Sequence, residues 1–337
     1  MSHGITEIDK GIVWGTTWHD LPQYLQIDRP VTCEEAFNIL NFPLKKRQLY
    51  RKISENPLGA AHHEKANAWE IVRSDTNDAL VDFVGSKFEI VGNEKLLEHV
   101  QNTVLKEFPQ LQIESVGTLW KGATTFVNLK VDSFNVPGDN SQILNRIMWW
   151  NPLGKGSYRT CAHNIRVVCA NTLAMAAKAD KATHAKVAHT KGGGAKISAA
   201  LDELARHFLE LKAVSKTLKE LAMVPMKDEE PQAFLKRFLP IPGTLEKDDP
   251  VAAEGTSQFK TRQLIFNRFS RWDNGMVPAV AQSRYGMLQA VTREFDHEKL
   301  TPSKDRGMIL WDGLTGNRAN RKAEALELLS TTPKFTL

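Results

Sequence analysis

Between Ile113 and Trp150 the chain carries three strand-like runs in close succession, and this most narrows the folds open to it. Ile113 to Trp120 is joined through Lys121-Gly122 to Ala123 through Val131, where Phe126, Val127, Leu129 and Val131 favour an extended backbone. Gln142 to Trp150 follows as a third run, stopped by the turn Asn151-Pro152-Leu153-Gly154. Strands joined by such short connections pair antiparallel. After Ser157 a segment rich in Ala, Val and Leu, roughly Arg159 to Ala179, reads as a helix. The expected fold class is α+β, with a central antiparallel sheet built on a strand-strand-strand-helix core and a largely helical C-terminal half.

Residues 1–66 read as irregular structure with one short helix. Thr32 is its N-cap, Glu35 completes a capping box, and Phe37 and Leu40 pack. Lys45-Lys46-Arg47 reads as a solvated face. From Ala68 the pattern turns to strands: Trp69–Ser74 and Ala79–Val84 flank the turn Asp75-Thr76-Asn77-Asp78, and Phe88–Val91 continues it. Asn93 then opens a helix with Leu96, Leu97, Val100, Val104 and Leu105 on one face, ending before Pro109. Residues 67–224 form the expected core.

Within that core, Thr190 to Ala195 is a loop, and a long helix runs from about Lys196 to Met223. Ile197, Leu204, Leu211 and Leu218 lie seven apart, widened by Leu201, Phe208 and Leu221. That stripe favours an ordinary core-facing amphipathic helix over an intermolecular coiled coil. Residues 225–257, broken by Pro231, Pro240, Pro242 and Pro250 and rich in acids, read as a linker around a short helix, Gln232 to Phe238. Residues 258–337 read as helical: Gln258 to Trp272, Ala281 to Lys299 and Ala319 to Ser330.

With 42% hydrophobic and 25% charged residues over 337 positions, the chain is expected to be globular. No apolar run approaches the roughly 20 residues that cross a bilayer, so no membrane is expected. The start Met1-Ser2-His3-Gly4 lacks the pattern of a secretory leader. Cys33, Cys161 and Cys169 are an odd, scattered set that fits reduced thiols and a cytoplasmic setting.

Charge is the feature that bears on function. From Lys155 to Lys196 there are eight basic side chains (Lys155, Arg159, Arg166, Lys178, Lys181, Lys186, Lys191 and Lys196) against one acid, Asp180. This local +7 sits in a chain whose total is +5, so the remainder is slightly acidic. A polyphosphate backbone is the commonest soluble anion that such an excess meets. Arg146, His189 and the aromatics Trp149, Trp150 and Tyr158 flank or join the stretch. In a strand, neighbouring residues point to opposite faces, so one of Trp149 and Trp150 is expected in the core and the other outward, where it can stack on an unpaired base.

Other chemistries find less support. Gly192-Gly193-Gly194 and Asn151 to Ser157 both fail the phosphate-loop pattern. Cys161, His163 and Cys169 lack the two tight ligand pairs of a structural zinc. Glu294, Asp296 and His297 lie too close along a helix to converge on one atom and read as surface polar groups. No catalytic residue, metal or cofactor is expected.

Several segments resemble a phage/plasmid-like protein family carried by prophages and conjugative plasmids. They are Trp69 to Asp75, Val116 to Gly122, Ile165 to Leu173, Ala188 to Thr190 and Tyr285 to His297. The more specific pieces are Arg166-Val167-Val168-Cys169-Ala170-Asn171-Thr172-Leu173, with Ala170 where Gln is usual, and Ala290-Val291-Thr292-Arg293-Glu294-Phe295-Asp296-His297, one residue shorter than usual. The resemblance implies a mobile-element setting and DNA transactions rather than a mechanism. Three strands followed by a basic helix are also similar to the core of Rad52-type single-strand annealing proteins.

The expected function is sequence-independent binding of single-stranded DNA, aiding annealing or recombination. Arg146, Lys155, Arg159, Arg166, Lys186, His189, Lys191 and Lys196 would meet the backbone, and Trp149, Trp150 and Tyr158 would meet bases. Ring or filament homo-oligomers, and host or phage recombination proteins as partners, fit that reading. The alternatives are a metal-dependent hydrolase acting on DNA through His163, His189, Asp296 or His297, and an anti-defence protein-interaction module.

Overall fold

The computed structural model describes residues 9–15, 24–55, 61–153, 157–166, 171–174, 187–188, 201–242, 249–271, 275–298 and 317–336. The chain is α+β, rich in antiparallel sheet, with a helical C-terminal half. It divides into two compact units. The first holds residues 1–130, 147–160 and 184–205; the second holds 131–146, 161–183 and 206–337.

In the first unit, β1 (Gly11–Trp14) pairs in parallel with β2 (Tyr24–Ile27) and antiparallel with β6 (Gln112–Leu119). β6 pairs antiparallel with β7 (Thr124–Asn135), which neighbours β8 (Gln142–Pro152). Gly11 and Gly117 make room for a ring. A Cβ at either position would stand 2.4 Å from Tyr24, whose hydroxyl donates to the Thr118 carbonyl at 3.0 Å. The β6–β7 turn passes through Trp120 and Lys121, both left-handed at φ 53° and 63°, and Gly122 at φ 93°. The buried Asp9 carboxylate holds this turn: it accepts from the backbone N–H of Lys121 (3.0 Å) and Gly122 (2.9 Å) and from the Thr118 hydroxyl (2.8 Å). Buried backbone donators of this kind need such a partner.

The helix α1 (Cys33–Leu40) starts as expected. Thr32 Oγ1 accepts from Glu35 N at 3.1 Å, and Glu35 Oε2 accepts from Thr32 N at 2.9 Å. The Arg29 guanidinium donates to the same carboxylate and, with the capping bonds, holds its pKa down to about 2. α2 (Asn93–His99) continues through a π turn (Val100–Val104) into α3 (Leu105–Glu107), burying Leu97, Val100 and Val104.

Residues 44–66 depart from the expected irregular segment. β3 (Leu44–Glu55) and β4 (Ala61–Arg73) form a long antiparallel pair, and β5 (Ala79–Val84) joins β4 beyond the turn at Asp75–Asp78. Phe88–Val91, by contrast, forms no strand.

The second unit corrects the helix expected over 159–179. Ser157–Arg166 is a strand, β9, and Asn171–Ala174 is β10, paired antiparallel to it from Arg166↔Asn171 to His163↔Ala174. Thr160, Ile165 and Thr172 are β-branched, and the segment lacks the 3.6-residue apolar stripe that would hold a helix on a core. The strand order within this unit is β10-β9-β8-β7, and the two-residue β11 (Val187–Ala188) pairs with β9 residues of the first unit.

The expected C-terminal helices are present as α4 (Leu201–Ala222), α5 (Glu230–Phe238), α7 (Ser257–Ser270), α9 (Arg284–Arg293) and α10 (Asn317–Thr331), and two short helices that were not expected, α6 (Pro250–Gly255) and α8 (Pro278–Ala281), stand among them. Leu211, Leu218 and Leu221 of α4 are buried, the last two within the core of the helical half, as a core-facing stripe requires. The span 225–257 does not behave as a linker. Met226, Ala233, Phe234, Leu235, Phe238, Leu239 and Ile241 are core residues, with Phe234 stacked on Phe238 and edge-on to Phe335. Pro231 and Pro250 stand in the first turns of α5 and α6, where a missing N–H costs no helix bond.

α9 is buried along most of its length. Its Arg284 donates to the carbonyls of Leu329, Thr332 and Pro333, tying down the end of α10, and Tyr285 donates to Asp139 at 2.7 Å. A Cβ on Gly286 would lie 1.9 Å from the Ala281 carbonyl oxygen. Gly286→Ala is therefore expected to lower stability by about 1–3 kcal/mol through forced backbone displacement, read as a lower urea midpoint at unchanged m-value.

Candidate nucleic-acid interface

The sequence-nominated residues fall into three groups. Lys155, Lys186, His189, Lys191 and Lys196 lie outside the described residues, as do Lys178 and Lys181. Tyr158, Arg159 and Arg166 lie on strand β9 rather than on a helix, Tyr158 in register with Val187 and Arg166 with Asn171. Arg146, Trp149 and Trp150 lie on β8 and are buried, at 4%, 1% and 3% exposure.

The outward-facing tryptophan is thus a correction. Neighbouring side chains on a strand do diverge, but from Asn145 to Asn151 β8 is buried without interruption, so both of its faces are covered. Neither indole is presented for stacking on a base, and the Arg146 guanidinium is not at the surface.

The second unit presents a basic groove that the sequence reading passed over. It has a volume of about 420 Å3 and is lined by Asp132 and Phe134 of β7, Asn145 of β8, and Lys212, Ser215, Lys216, Lys219 and Glu220 of α4. Lys212, Lys216 and Lys219 recur at i, i+4 and i+7, so one side of the helix carries all three, and all are exposed. The Lys219 ammonium stands 5.5 Å from the centre of the Phe134 ring.

The polar floor of the groove is fixed. Asn164 donates to Asn145 Oδ1, and Asn145 Nδ2 donates to Asp132 at 2.5 Å. Ser215 bonds back to the Leu211 carbonyl at 2.7 Å. Glu220 lies 3.8 Å from Lys216, an exposed pair that contributes little. The groove therefore offers three ammonium groups along one wall and a half-buried aromatic ring at its base. The i, i+4, i+7 lysine spacing was the sequence signal for it.

A second polar cluster in this unit is closed to solvent. The residues 294–298 form a π turn after α9, and they carry Glu294 and Asp296 inward, not to the surface as expected. Lys322 of α10 donates to Asp296 Oδ1 at 2.6 Å with both side chains buried. Arg268 of α7 lies 3.4 Å from Glu294, and Arg318 donates to the Phe295 carbonyl at 2.6 Å. His163 is fully buried, and burial, reinforced by the positive charges of Arg146 and Lys322, pushes its pKa down to about 3. His163 and Asp296, two of the four residues on which the hydrolase reading drew, are thus both enclosed, with the imidazole held neutral; His189 and the His297 side chain lie outside what the structure describes. Among the described residues, no three His, Cys, Asp or Glu side chains gather as a cation site requires. Nor is any helix there long and apolar enough to cross a membrane.

An α+β fold with a buried ionic cluster and an open basic groove defines a class by architecture alone. The chain belongs to the family described as a domain of unknown function, DUF932, which matches residues 81–325. That span takes in the Val116 to Gly122, Ile165 to Leu173 and Tyr285 to His297 segments, whereas Trp69 to Asp75 precedes it. No curated protein and no solved structure matches the chain.

Proposed function

We propose that this protein binds single-stranded DNA without sequence preference, through backbone phosphates, and aids annealing or recombination in a phage or other mobile element. The observation that carries the reading is the α4 groove, with Lys212, Lys216 and Lys219 along one wall and Phe134 at its base. Ammonium groups spaced along a helix meet successive phosphates, and an aromatic ring beside them meets a base face of any identity. The cationic stretch from Lys155 to Lys196 adds to the same attraction. A bacterial cytoplasm, homo-oligomerisation along a bound strand, and recombination proteins as partners belong to this proposal. It does not need the Rad52-type likeness, whose helix falls on β9 and β10.

The test is fluorescence anisotropy of a labelled oligothymidylate with the parent and with Lys212→Glu/Lys216→Glu/Lys219→Glu. The variant is expected to bind about tenfold more weakly at moderate salt. Its log affinity against log salt should be shallower by about 2, because each phosphate contact on a single strand contributes about 0.7. Since these side chains are exposed, its far-UV circular dichroism should match the parent. Unchanged affinity and slope would remove the groove from the contact surface.

A further inference from the structure

The polar groups of the α4 groove divide by what they can offer a ligand. The wall offers donors, the ammonium groups of Lys212, Lys216 and Lys219. The floor offers acceptors. Asn145 has no amide group to spare: its Oδ1 accepts from Asn164, and its Nδ2 donates to Asp132 Oδ1 at 2.5 Å and stands 3.4 Å from Ser215 Oγ. The Ser215 hydroxyl proton goes to the Leu211 carbonyl at 2.7 Å. Asp132 is exposed, and among the described residues nothing else bonds to its carboxylate. Its second oxygen is left for water or a ligand.

A strand seated among the lysines displaces water from this carboxylate, which accepts and cannot donate. A deoxyribose-phosphate backbone consists of acceptors throughout: phosphate, ester and ring oxygens. It satisfies the wall and leaves Asp132 unmatched, at the cost of a polar group taken out of water. Base edges carry donors at positions that differ from base to base, and a base stacked on Phe134 presents its face. The ribose 2′-hydroxyl is the donor that every nucleotide of an RNA backbone carries. A basic peptide would also satisfy Asp132, but its cations would meet three ammonium groups.

We infer that this groove takes single-stranded RNA more tightly than DNA of the same sequence, with Asp132 accepting from a 2′-hydroxyl. The inference rests on the nucleic-acid reading of the groove above and adds a second substrate class to it. Asp132 is the residue that tells the two sugars apart.

The experiment measures the anisotropy of labelled oligouridylate, oligodeoxyuridylate and 2′-fluoro-oligouridylate of equal length. The proteins are the parent, Asp132→Ala and Lys212→Glu/Lys216→Glu/Lys219→Glu. The parent is expected to bind oligouridylate about tenfold more tightly than the deoxy strand, the lower end for a charge-assisted hydrogen bond because the groove is open to water. The 2′-fluoro strand keeps a ribose-like pucker and lacks the donor, so it should bind as the deoxy strand does. Salt slopes of the strands should agree, since a hydroxyl releases no counterion. Asp132→Ala should bring the ratio of RNA to DNA affinity to about one, because no acceptor is then left unpaired by DNA. Equal binding of RNA and DNA by the parent, or a 2′-fluoro strand that binds as RNA does, overturns the inference whatever the variant does. A preference that survives Asp132→Ala overturns the role of Asp132. Each of these leaves the reading of the groove standing. A parent that binds no strand, or a triple lysine variant that binds as the parent does, overturns both that reading and this inference.

Discussion

Replacing Lys322 by methionine is expected to reduce the unfolding free energy by about 3–5 kcal/mol, the largest single effect foreseen for this chain. Lys322 is fully buried, and its ammonium bonds Asp296 at 2.6 Å, itself almost wholly enclosed. Methionine fills nearly the same volume, so the loss is not one of packing. What remains is a carboxylate removed from water that has lost the ammonium bonded to it, and its desolvation is offset less. The double variant Lys322→Met/Asp296→Val removes both charges and is expected to recover most of the loss, because a buried pair and an apolar pair of similar size differ little in net stability. Urea unfolding of the parent, both single variants and the double variant forms a closed cycle. A double variant as unstable as the two single losses combined would contradict the account, since it would mean that the two groups do not act on each other.

Acidification is expected to destabilise the protein through His163. Its ordinary pKa of about 6.5 is lowered to about 3, first by burial and then by Arg146 and Lys322. The unfolded chain takes up a proton at this position as the pH falls through about 6.5, whereas the folded chain does so only near 3. Between those values the unfolded state holds the extra proton, so stability falls with falling pH at a slope approaching 1.4 kcal/mol per unit, roughly 2 kcal/mol between pH 6 and 4.5. Above pH 7 this contribution is absent. His163→Gln is expected to flatten the profile over that window by this amount, whatever its effect on stability at neutral pH. A variant whose pH profile runs parallel to that of the parent would show that His163 titrates alike in both states.

Both predictions concern residues whose roles were hidden in the sequence for a definable reason. Glu294 and Asp296 follow a regular helix and by its 3.6-residue period diverge; the π turn at 294–298 changes that period and carries both inward. Other elements were legible because their signals are local. The Thr32–Glu35 box opens α1, Lys121-Gly122 turns β6 into β7, and the leucine spacing of α4 marks its buried side. The β3–β4 ribbon was missed because a ribbon solvated on both faces has no alternation of apolar and polar residues to read. Pro231 and Pro250 suggested breaks, yet they stand in the first turns of helices. Trp149 and Trp150 do follow strand parity, but parity states only that they diverge. That both directions lead into packed interior depends on what covers β8, which residues far away in sequence decide.

The central claim is that this chain holds nucleic acid by its phosphates, and a salt titration of oligothymidylate binding by fluorescence anisotropy tests it most directly. Engagement of at least three phosphates by Lys212, Lys216 and Lys219 predicts measurable binding at low salt and a log–log slope of about −2 or steeper. Equal binding of oligothymidylate and mixed-sequence strands is predicted beside it, because neither a phosphate nor a stacked base face identifies a sequence. An absence of binding at low salt, or an affinity that does not change as salt is raised, would contradict the account.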